Sequence, residues 1–349
     1  MNTEFRKYIK AVGTGPKLSR DLTIEEAERA FRLILEGQAT DAQIGGILVP
    51  LRMKIESPDE LASFVRVTRD FSRQIHTNLP HLLDCGVAYD GKVKFPHITP
   101  LAAFVAAGAG ASVFLHGQSM TPPKYGISIR DVFMELGVAI DWPLEKVKTA
   151  LENTGVGFAS IENISPRVAE LKRIREELGL RTAFNHIEKL WNPMRAPHQV
   201  VSIYHGPYLQ TIPEVLQKTG ASHALVIQGM EGTPDIRLSR PTKIAELKGK
   251  HVENLFFVPA DLGFKNLQEP SYERFTAHEN AQIIDETLSG KEGAWQDLAV
   301  INAALLIYAS DLAGNFQEGV QRARESLHSR QALNKLQTLR KMAGSISIN

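Results

Sequence analysis

The sequence contains almost no cysteine: Cys85 is the only one in 349 residues. A disulfide within the chain is therefore impossible, which is typical of proteins in a reducing compartment. Long apolar runs are also missing. The most apolar window, residues 101–115, is too short to span a bilayer, and the N-terminal residues have no signal-peptide pattern. We therefore expect a cytoplasmic protein without a membrane partner.

The chain also lacks an excess of charge of either sign. Forty lysines and arginines face 39 aspartates and glutamates, which leaves a formal net charge of +1. Net charge therefore gives no argument for nucleic-acid binding, and any such function would depend on local clusters of cations. A hydrophobic content of 43% is ordinary for a globular protein. A chain of this length can bury a substantial core, in one large or two smaller domains.

Helix signals dominate the first third of the sequence. Thr23 with Glu26, and Ser57 with Glu60, have the spacing of capping boxes, in which each side chain binds the other residue's backbone amide. Asp41 is the expected cap of the helix between them. Apolar residues follow each of these positions at helical spacing. This part of the chain is therefore predicted to be a small helical bundle.

From about residue 80 the pattern changes to short apolar runs separated by helical stretches. Such alternation predicts a mainly parallel sheet covered on both faces. The predicted strands are His81–Val87, Ala111–His116, Val156–Ser160, Val200–Tyr204, Ala224–Gln228 and Leu255–Val258.

Three short motifs carry a resemblance to a known family. The chain reads GVAYD at 86–90, PHIT at 96–99 and LHGQS at 115–119. It resembles the anthranilate phosphoribosyltransferases of glycosyltransferase family 3, which have GTGGD, NIST and KHGNR at these places. GLRTAFN at 179–185 is also similar to the family pattern. The resemblance, over about residues 5–325, implies an α/β fold with a small helical N-terminal domain, of the nucleoside phosphorylase/phosphoribosyltransferase type.

The resemblance also implies a domain organisation and an assembly. A helical dimerisation domain is expected at 1–75, completed by helices at about 165–185. The α/β domain is expected at 80–164 and 186–345. Relatives use the helical domain as a dimer surface, so the expected partner is a second copy of the chain.

The family's phosphoribosyl site is altered in this sequence. A glycine-rich turn suits pyrophosphate because bare amides can approach the anion closely, and here Tyr89 replaces one of those glycines. Leu115 replaces a lysine. The resemblance implies that phosphoribosyl-site positions remain at Gly86, Asp90, Thr99, His116, Gly117, Lys124 and Ser128.

The metal and acceptor positions are implied in the same way. Catalytic relatives carry an Asp-Glu pair that holds Mg²⁺, an arrangement that suits a hard cation shared with phosphates. Only Asp235 remains at this pair, with Glu231 nearby, so no cofactor is expected unless the protein is active, when Mg²⁺ would be needed. Arg175 stands where relatives bind the anthranilate carboxylate. An ion pair within its helix is the ordinary alternative.

Cations concentrate in the segment that borders the domain cleft in this fold. They are Arg167, Lys172, Arg173, Arg175, Arg181, Lys189 and Arg195. A basic cleft without a small-substrate site is a candidate groove for DNA or RNA, because phosphate contacts require only positive charge and spacing. Solvated helix faces are the plainer interpretation of such a charge run.

Three hypotheses about function follow from these observations. LHGQS and PHIT resemble the degenerate, YbiB-like branch of the family, which keeps the fold and dimer and binds nucleic acid without marked sequence preference. The preferred hypothesis is therefore a homodimer with a degenerate phosphoribosyl pyrophosphate site and a non-specific nucleic-acid cleft. The alternative is an active phosphoribosyltransferase acting on anthranilate or another aromatic acceptor, as in tryptophan biosynthesis. A purely structural or regulatory dimer is a third possibility.

Overall fold

The computed structural model describes residues 2–87, 89–118, 121–138, 141–264, 270 and 274–344. Four helices form the N-terminal part, with α1 packed on α3 and α2 packed on α4. Their bounds are α1 Arg6–Gly13, α2 Ile24–Leu35, α3 Asp41–Lys54 and α4 Pro58–Asp70.

Capping boxes start three of these helices. The predicted boxes at Thr23 and Ser57 are confirmed, with side chain and backbone bonded in both directions. The predicted cap at Asp41 is wrong. Thr40 caps α3 and forms a capping box with Gln43, while Asp41 is the first helical residue. A threonine hydroxyl one position earlier reaches the third amide, and Asp41 then places its charge in the favourable first turn.

A seven-stranded sheet forms the centre of the rest of the chain. The strand order is β3-β2-β1-β4-β5-β6-β7; the first five strands of the chain run parallel, and β6 pairs antiparallel with both β5 and β7. The strands are β1 Leu82–Gly86, β2 Ser112–Gly117, β3 Val156–Ser160, β4 His198–Ser202, β5 His223–Ile227, β6 Thr242–Lys248 and β7 His251–Phe257.

The remaining helices pack against this sheet, against one another or against the N-terminal helices. Two of them, α5 and α14, are apolar around most of their circumference and pack against each other and the sheet. The helices after α4 are α5 Thr99–Gly108, α6 Ile129–Glu135, α7 Leu144–Thr154, α8 Ile161–Ile164, α9 Pro166–Glu170, α10 Lys172–Leu178, α11 Phe184–Leu190, α12 Tyr208–Lys218, α13 Ala277–Leu288, α14 Ala294–Ala309, α15 Phe316–His328 and α16 Gln331–Gly344. No helix within the described ranges is long and apolar enough to cross a bilayer.

The predicted fold class is confirmed: a small helical part precedes an α/β part with a mixed sheet. Helix α10 lies against α3, where Arg173 forms a 2.6 Å ion pair with Asp41. The predicted boundaries between the domains and the homodimer stay predictions. Of the apolar side chains near the end of α3, Leu51 is buried, whereas Met53 and Ile55 are exposed.

A buried arginine joins the helical part to the α/β part. The Arg69 side chain on α4 is 2% exposed. Its guanidinium donates to the carbonyl oxygens of Trp191 at 2.6 Å and Thr219 at 2.7 Å. Burial lowers the pKa of Arg69 to about 9. The contacts fix α4 against the segments that follow α11 and α12.

Removing this guanidinium should loosen the junction. We expect Arg69→Met to lower the free energy of unfolding by about 1–3 kcal/mol, because buried carbonyls lose their donors. Urea denaturation measures the change. The matched control is Arg66→Met on the same helix, whose half-exposed ion pair with Glu28 contributes less than about 1 kcal/mol. Equal effects of the two substitutions would contradict this role for Arg69.

Candidate functional site

The candidate site lies at the carboxyl ends of β1, β2 and β5, the edge at which open α/β sheets bind ligands. Strand β1 ends at Gly86. A Cβ atom built there would lie 2.1 Å from the carbonyl oxygen of Lys189. The glycine is therefore required for the close approach of α11, a packing role independent of any phosphate. At Gly117 a Cβ would make only ordinary contacts, at 3.6 Å and beyond.

A buried ion pair joins the loop after β1 to the turn after β5. Lys92 Nζ lies 2.8 Å from Asp235 Oδ2, and both side chains are at most 1% exposed. Asp235 also accepts hydrogen bonds from the hydroxyls of Thr99 at 2.6 Å and Thr233 at 2.9 Å. Sequence reasoning missed Lys92, because it belongs to no motif and lies in the stretch GKVKF, where a lysine is typical of the surface.

The pair decides what Asp235 can bind. Burial by itself would raise the pKa of Asp235, but the Lys92 ammonium and the hydrogen bonds hold that pKa below its usual value. The carboxylate is thus ionised and already neutralised by a cation of the chain. These residues therefore do not fit a Mg²⁺ ion at Asp235, because Lys92 neutralises the buried carboxylate and each of its oxygens already accepts from a protein donor.

The second predicted metal carboxylate is also engaged. The Glu231 carboxylate accepts from the backbone amides of Val93 and Lys94, each at 3.0 Å. Glu231 has a left-handed backbone, with φ of 52°, which turns this side chain toward the loop after β1. Its own carbonyl oxygen accepts from Lys124 Nζ at 2.8 Å. Glu231 therefore closes the loop and does not present a ligand pair with Asp235.

Asp90 collects two of the predicted cations. Arg181 Nη2 lies 3.0 Å from Asp90 Oδ2, and Lys124 Nζ lies 3.5 Å from Oδ1. Burial lowers the pKa of Lys124, and Asp90 opposes that shift. The structure thus brings Asp90, Lys124 and Arg181 together, and Asp90 and Arg181 line one cleft. Ser128 has another role: its side chain caps α6 by bonding with Asp131.

Tyr89 belongs to a buried chain of polar groups. Its hydroxyl is hydrogen-bonded to Nδ1 of His116, whose Nε2 faces Asp84 Oδ2 at 3.4 Å. The Tyr89 side chain is 2% exposed, and burial raises its pKa well above the usual value. The replacement in the glycine-rich turn is thus held in place by His116. Ala88 and Ser119 of the quoted motifs lie outside the described residues.

Arg175 is not available to a ligand in this conformation. Its guanidinium forms a two-pronged ion pair with Glu188, the second contact at 3.2 Å, and both side chains are at most 4% exposed. Burial raises the pKa of Glu188, and Arg175 opposes that shift. Arg175 therefore cannot contact nucleic acid either, because that role requires an exposed side chain.

The other predicted cations do not form one basic groove. Lys189 is buried and donates to two carbonyl oxygens. Arg195 lies beside a separate cavity next to Glu28 and Asp70. The remaining cations pair with acids: Arg167 with Glu170, Lys172 with Glu176, and Arg173 with Asp41 and Glu177.

The first cleft, of about 380 Å³, lies between the end of α3 and the α/β part. Arg181 packs over the ring of Tyr204, with 5.0 Å from its guanidinium carbon to the ring centroid. His186 stacks on Tyr208, with ring centroids 4.1 Å apart. Lys189 lines the same cleft, and burial lowers its pKa to about 8. The cleft therefore combines aromatic walls with cations, a lining that suits a small anionic ligand with an aromatic or sugar ring.

A second cleft, of about 770 Å³, adjoins the first through Tyr204 and Glu231. The described residues that line it include four cations: Lys94, Arg237, Arg240 and Lys243. Tyr204 and nearby Phe256 are 51% and 64% exposed. Sequence reasoning missed this group, because its cations come from two separate loops and β6.

Comparisons with known proteins agree with this architecture. A crystal structure of anthranilate phosphoribosyltransferase from Thermus thermophilus superposes with a TM-score of 0.83 at 29% identity, covering 97% of this chain and 98% of that one. The Saccharomyces cerevisiae enzyme in complex with PRPP and Mg superposes equally well, at 20% identity and 98% coverage of each chain. The fold is therefore that of the anthranilate phosphoribosyltransferases.

Sequence similarity extends over nearly the whole chain. The anthranilate phosphoribosyltransferase of Methanocorpusculum labreanum is 36% identical over 326 residues, 93% of this chain and 95% of that protein. That of Symbiobacterium thermophilum is 34% identical, over 92% and 94%. Residues 6–72 match the glycosyl transferase family helical bundle domain, and 84–333 match its a/b domain. The chain belongs to glycosyltransferase family 3 and is similar to its anthranilate phosphoribosyltransferases.

The buried ion pair provides a direct test of the site's architecture. Lys92→Met should lower the free energy of unfolding by about 3–5 kcal/mol, because it leaves the Asp235 charge buried without a partner. Asp235→Asn added to that variant should recover part of the loss. Exposed Lys291→Met, which breaks a surface pair with Glu286, should cost less than about 1 kcal/mol. A loss at Lys92 no larger than at Lys291, in urea denaturation, would show that the pair does not fix the loop.

Proposed function

We propose that the first cleft binds a phosphorylated ribose donor and that the protein transfers its glycosyl group to an aromatic acceptor. The observation that carries the proposal is that Arg181, Asp90 and Lys189 line one cleft, with Arg181 and Lys124 both paired to Asp90. Family membership supports the reaction class. Such a transfer requires mainly positioning and stabilisation of charge on the departing group.

The cations of the first cleft have internal partners that a phosphate can displace. Lys189 donates to the carbonyl oxygens of Ser202 and Gly232, at 3.1 and 3.0 Å. Arg181 is half-buried against Tyr204 and Asp90. A phosphate entering the cleft would compete with a single carboxylate for Arg181 and with neutral carbonyls for Lys189. Because Lys92 already neutralises Asp235, we expect donor binding without a requirement for Mg²⁺.

Arg175, at the expected acceptor position, is not open to an acceptor carboxylate. Glu188 holds Arg175 with two contacts, so an acceptor carboxylate must compete with Glu188 for the same guanidinium. Specificity is a difference between affinities, and this internal competitor lowers the affinity for anthranilate. An acceptor that does not depend on a carboxylate contact is favoured.

Calorimetry with phosphoribosyl pyrophosphate tests the donor site. We expect micromolar binding whose dissociation constant changes less than about threefold between EDTA and Mg²⁺. Arg181→Met should weaken binding by about tenfold, or 1.4 kcal/mol, because it removes one charge-assisted hydrogen bond. Arg173→Met, an ion-paired cation on α10, is the matched control and should bind normally. Absence of binding at millimolar donor would reject the proposal.

A substitution at Glu188 tests the competition for Arg175. Glu188→Gln keeps the shape of the side chain and removes the charge that holds Arg175. With donor present, it should raise the rate of anthranilate consumption, measured by chromatography, at least about tenfold above the unmodified protein. Unchanged consumption in a folded variant would show that Glu188 does not compete with the acceptor.

Nucleic-acid binding is a second candidate, and the second cleft favours it. Among the described residues that line that cleft are four cations and one carboxylate, Glu231, whose oxygens accept from backbone amides. Exposed Tyr204 and Phe256 provide rings on which bases could stack. Phosphate contacts of this kind give affinity without sequence preference. The candidate thus uses other residues than the cluster between 167 and 195.

An electrophoretic shift assay with single- and double-stranded DNA and RNA tests this candidate. Binding should fall steeply with salt and vary little with sequence. Replacing Lys94, Arg240 and Lys243 by glutamate should abolish most binding and flatten the salt slope by about one for each cation that bound a phosphate. The matched charge reversal at Arg167 and Arg173 should leave the slope unchanged. No shift at low salt with micromolar protein would reject nucleic-acid binding.

A further inference from the structure

Two histidines and an aspartate meet at the opposite edge of the sheet. His198 and His223 begin the neighbouring strands β4 and β5, where they pair in register. Parallel partners in register point to the same face, so the rings lie side by side, with centroids 6.3 Å apart. Asp311 approaches both from the turn after α14. This cluster lies at the amino ends of the strands, far from the two clefts at the carboxyl ends.

The ligand atoms of the three side chains converge. One atom from each lies within 4.8 Å of the others. His223 Nδ1 is 2.6 Å from Asp311 Oδ1, and His198 Nδ1 is 3.8 Å from Oδ2. His198 Nδ1 is buried and accepts no hydrogen bond from any described residue. An unpartnered ring nitrogen aimed at a carboxylate indicates a position for a cation.

The second nitrogen of His223 is already held. His223 Nε2 lies 2.9 Å from Glu246 Oε1, which also accepts from the Tyr308 hydroxyl at 2.6 Å. A neutral imidazole has one N–H, so donation to Glu246 leaves Nδ1 with a lone pair that faces Asp311. That nitrogen then requires either a second proton or a metal ion. A histidine fixed by a carboxylate at its other nitrogen is the usual outer arrangement of protein zinc ligands.

Solvent can reach the cluster at Asp311. This residue, just after α14, has the left-handed conformation usual after a helix, with φ of 57°. Its side chain is 50% exposed, whereas that of His223 is 2% exposed. Solvent therefore reaches the cluster from the aspartate side, which gives an ion an entry path and leaves room for water as a fourth ligand.

We propose that His198, His223 and Asp311 bind a divalent transition-metal ion of the Zn²⁺ class, through Nδ1 of both imidazoles and one carboxylate oxygen. Imidazole with carboxylate suits zinc better than Mg²⁺ or Ca²⁺. Zinc ligands lie about 2.0–2.2 Å from the ion, so the aspartate must move by about 1 Å to make room. The ion would compete with protons for the Nδ1 atoms of His198 and His223, so its affinity should fall at acid pH. The site joins β4, β5 and the end of α14.

The test uses the full chain, freed of metal by a chelator and titrated with zinc chloride in a calorimeter. We expect one ion per chain with a dissociation constant of micromolar or below. Bound Co²⁺ should give the visible absorption of a site with nitrogen and oxygen ligands. His198→Asn and Asp311→Asn should each weaken binding at least tenfold and remove that absorption, whereas exposed His76→Asn should do neither.

Thermal unfolding separates loss of the site from loss of the fold. Because a ligand that binds only the folded chain stabilises it, zinc should raise the melting temperature of the unmodified protein. Zinc should raise the melting temperature of Asp311→Asn much less. The altered side chain of this variant is half-exposed. Tyr308→Phe should weaken zinc binding by a smaller factor, through Glu246. Two results would overturn the proposal: no zinc binding by the unmodified chain, or binding by His198→Asn and Asp311→Asn as tight as that of the unmodified chain.

Discussion

The buried ion pair between Lys92 and Asp235 is the interaction on which the candidate site depends. Both charges are withdrawn from water. Removing either group therefore leaves the other charge buried without a partner, which strongly destabilises the folded protein. The pair ties the loop after β1 to the turn after β5, and Glu231 adds two amide contacts to the same loop. The loop that forms the floor of the site is therefore fixed by the chain's own charges.

The same logic extends to the other ionised groups of the site. Glu188 neutralises Arg175, and Asp90 engages Arg181 and Lys124. An anionic ligand entering the cleft meets cations that already have partners, so its affinity is the difference between two sets of contacts. Separating Arg175 from its partner costs the most free energy, because Glu188 is buried. Arg181 is half-buried and shares a single carboxylate, so it is the easier one to recruit.

Local sequence signals predicted much of the fold. The capping boxes at Thr23 and Ser57 depend on residues three positions apart, and β3 was predicted at its observed bounds. Strand β6 escaped prediction because Lys243 and Lys248, near its two ends, are exposed and polar. Lys92 and Glu188 escaped for a different reason: their partners are 143 and 13 residues away. From the sequence alone, a charged residue that pairs inside the fold cannot be distinguished from a charged residue on the surface.

The adjoining clefts make the two candidate functions interdependent. Tyr204 packs beneath Arg181 in the first cleft and lines the second. Glu231 borders both and also bonds the amides of Val93 and Lys94. A ligand that shifts Tyr204 or Glu231 in one cleft therefore changes the wall of the other. By linkage, a small anion and a nucleic-acid strand would alter each other's affinity by the same factor. The histidine cluster at the far edge of the sheet shares none of these residues.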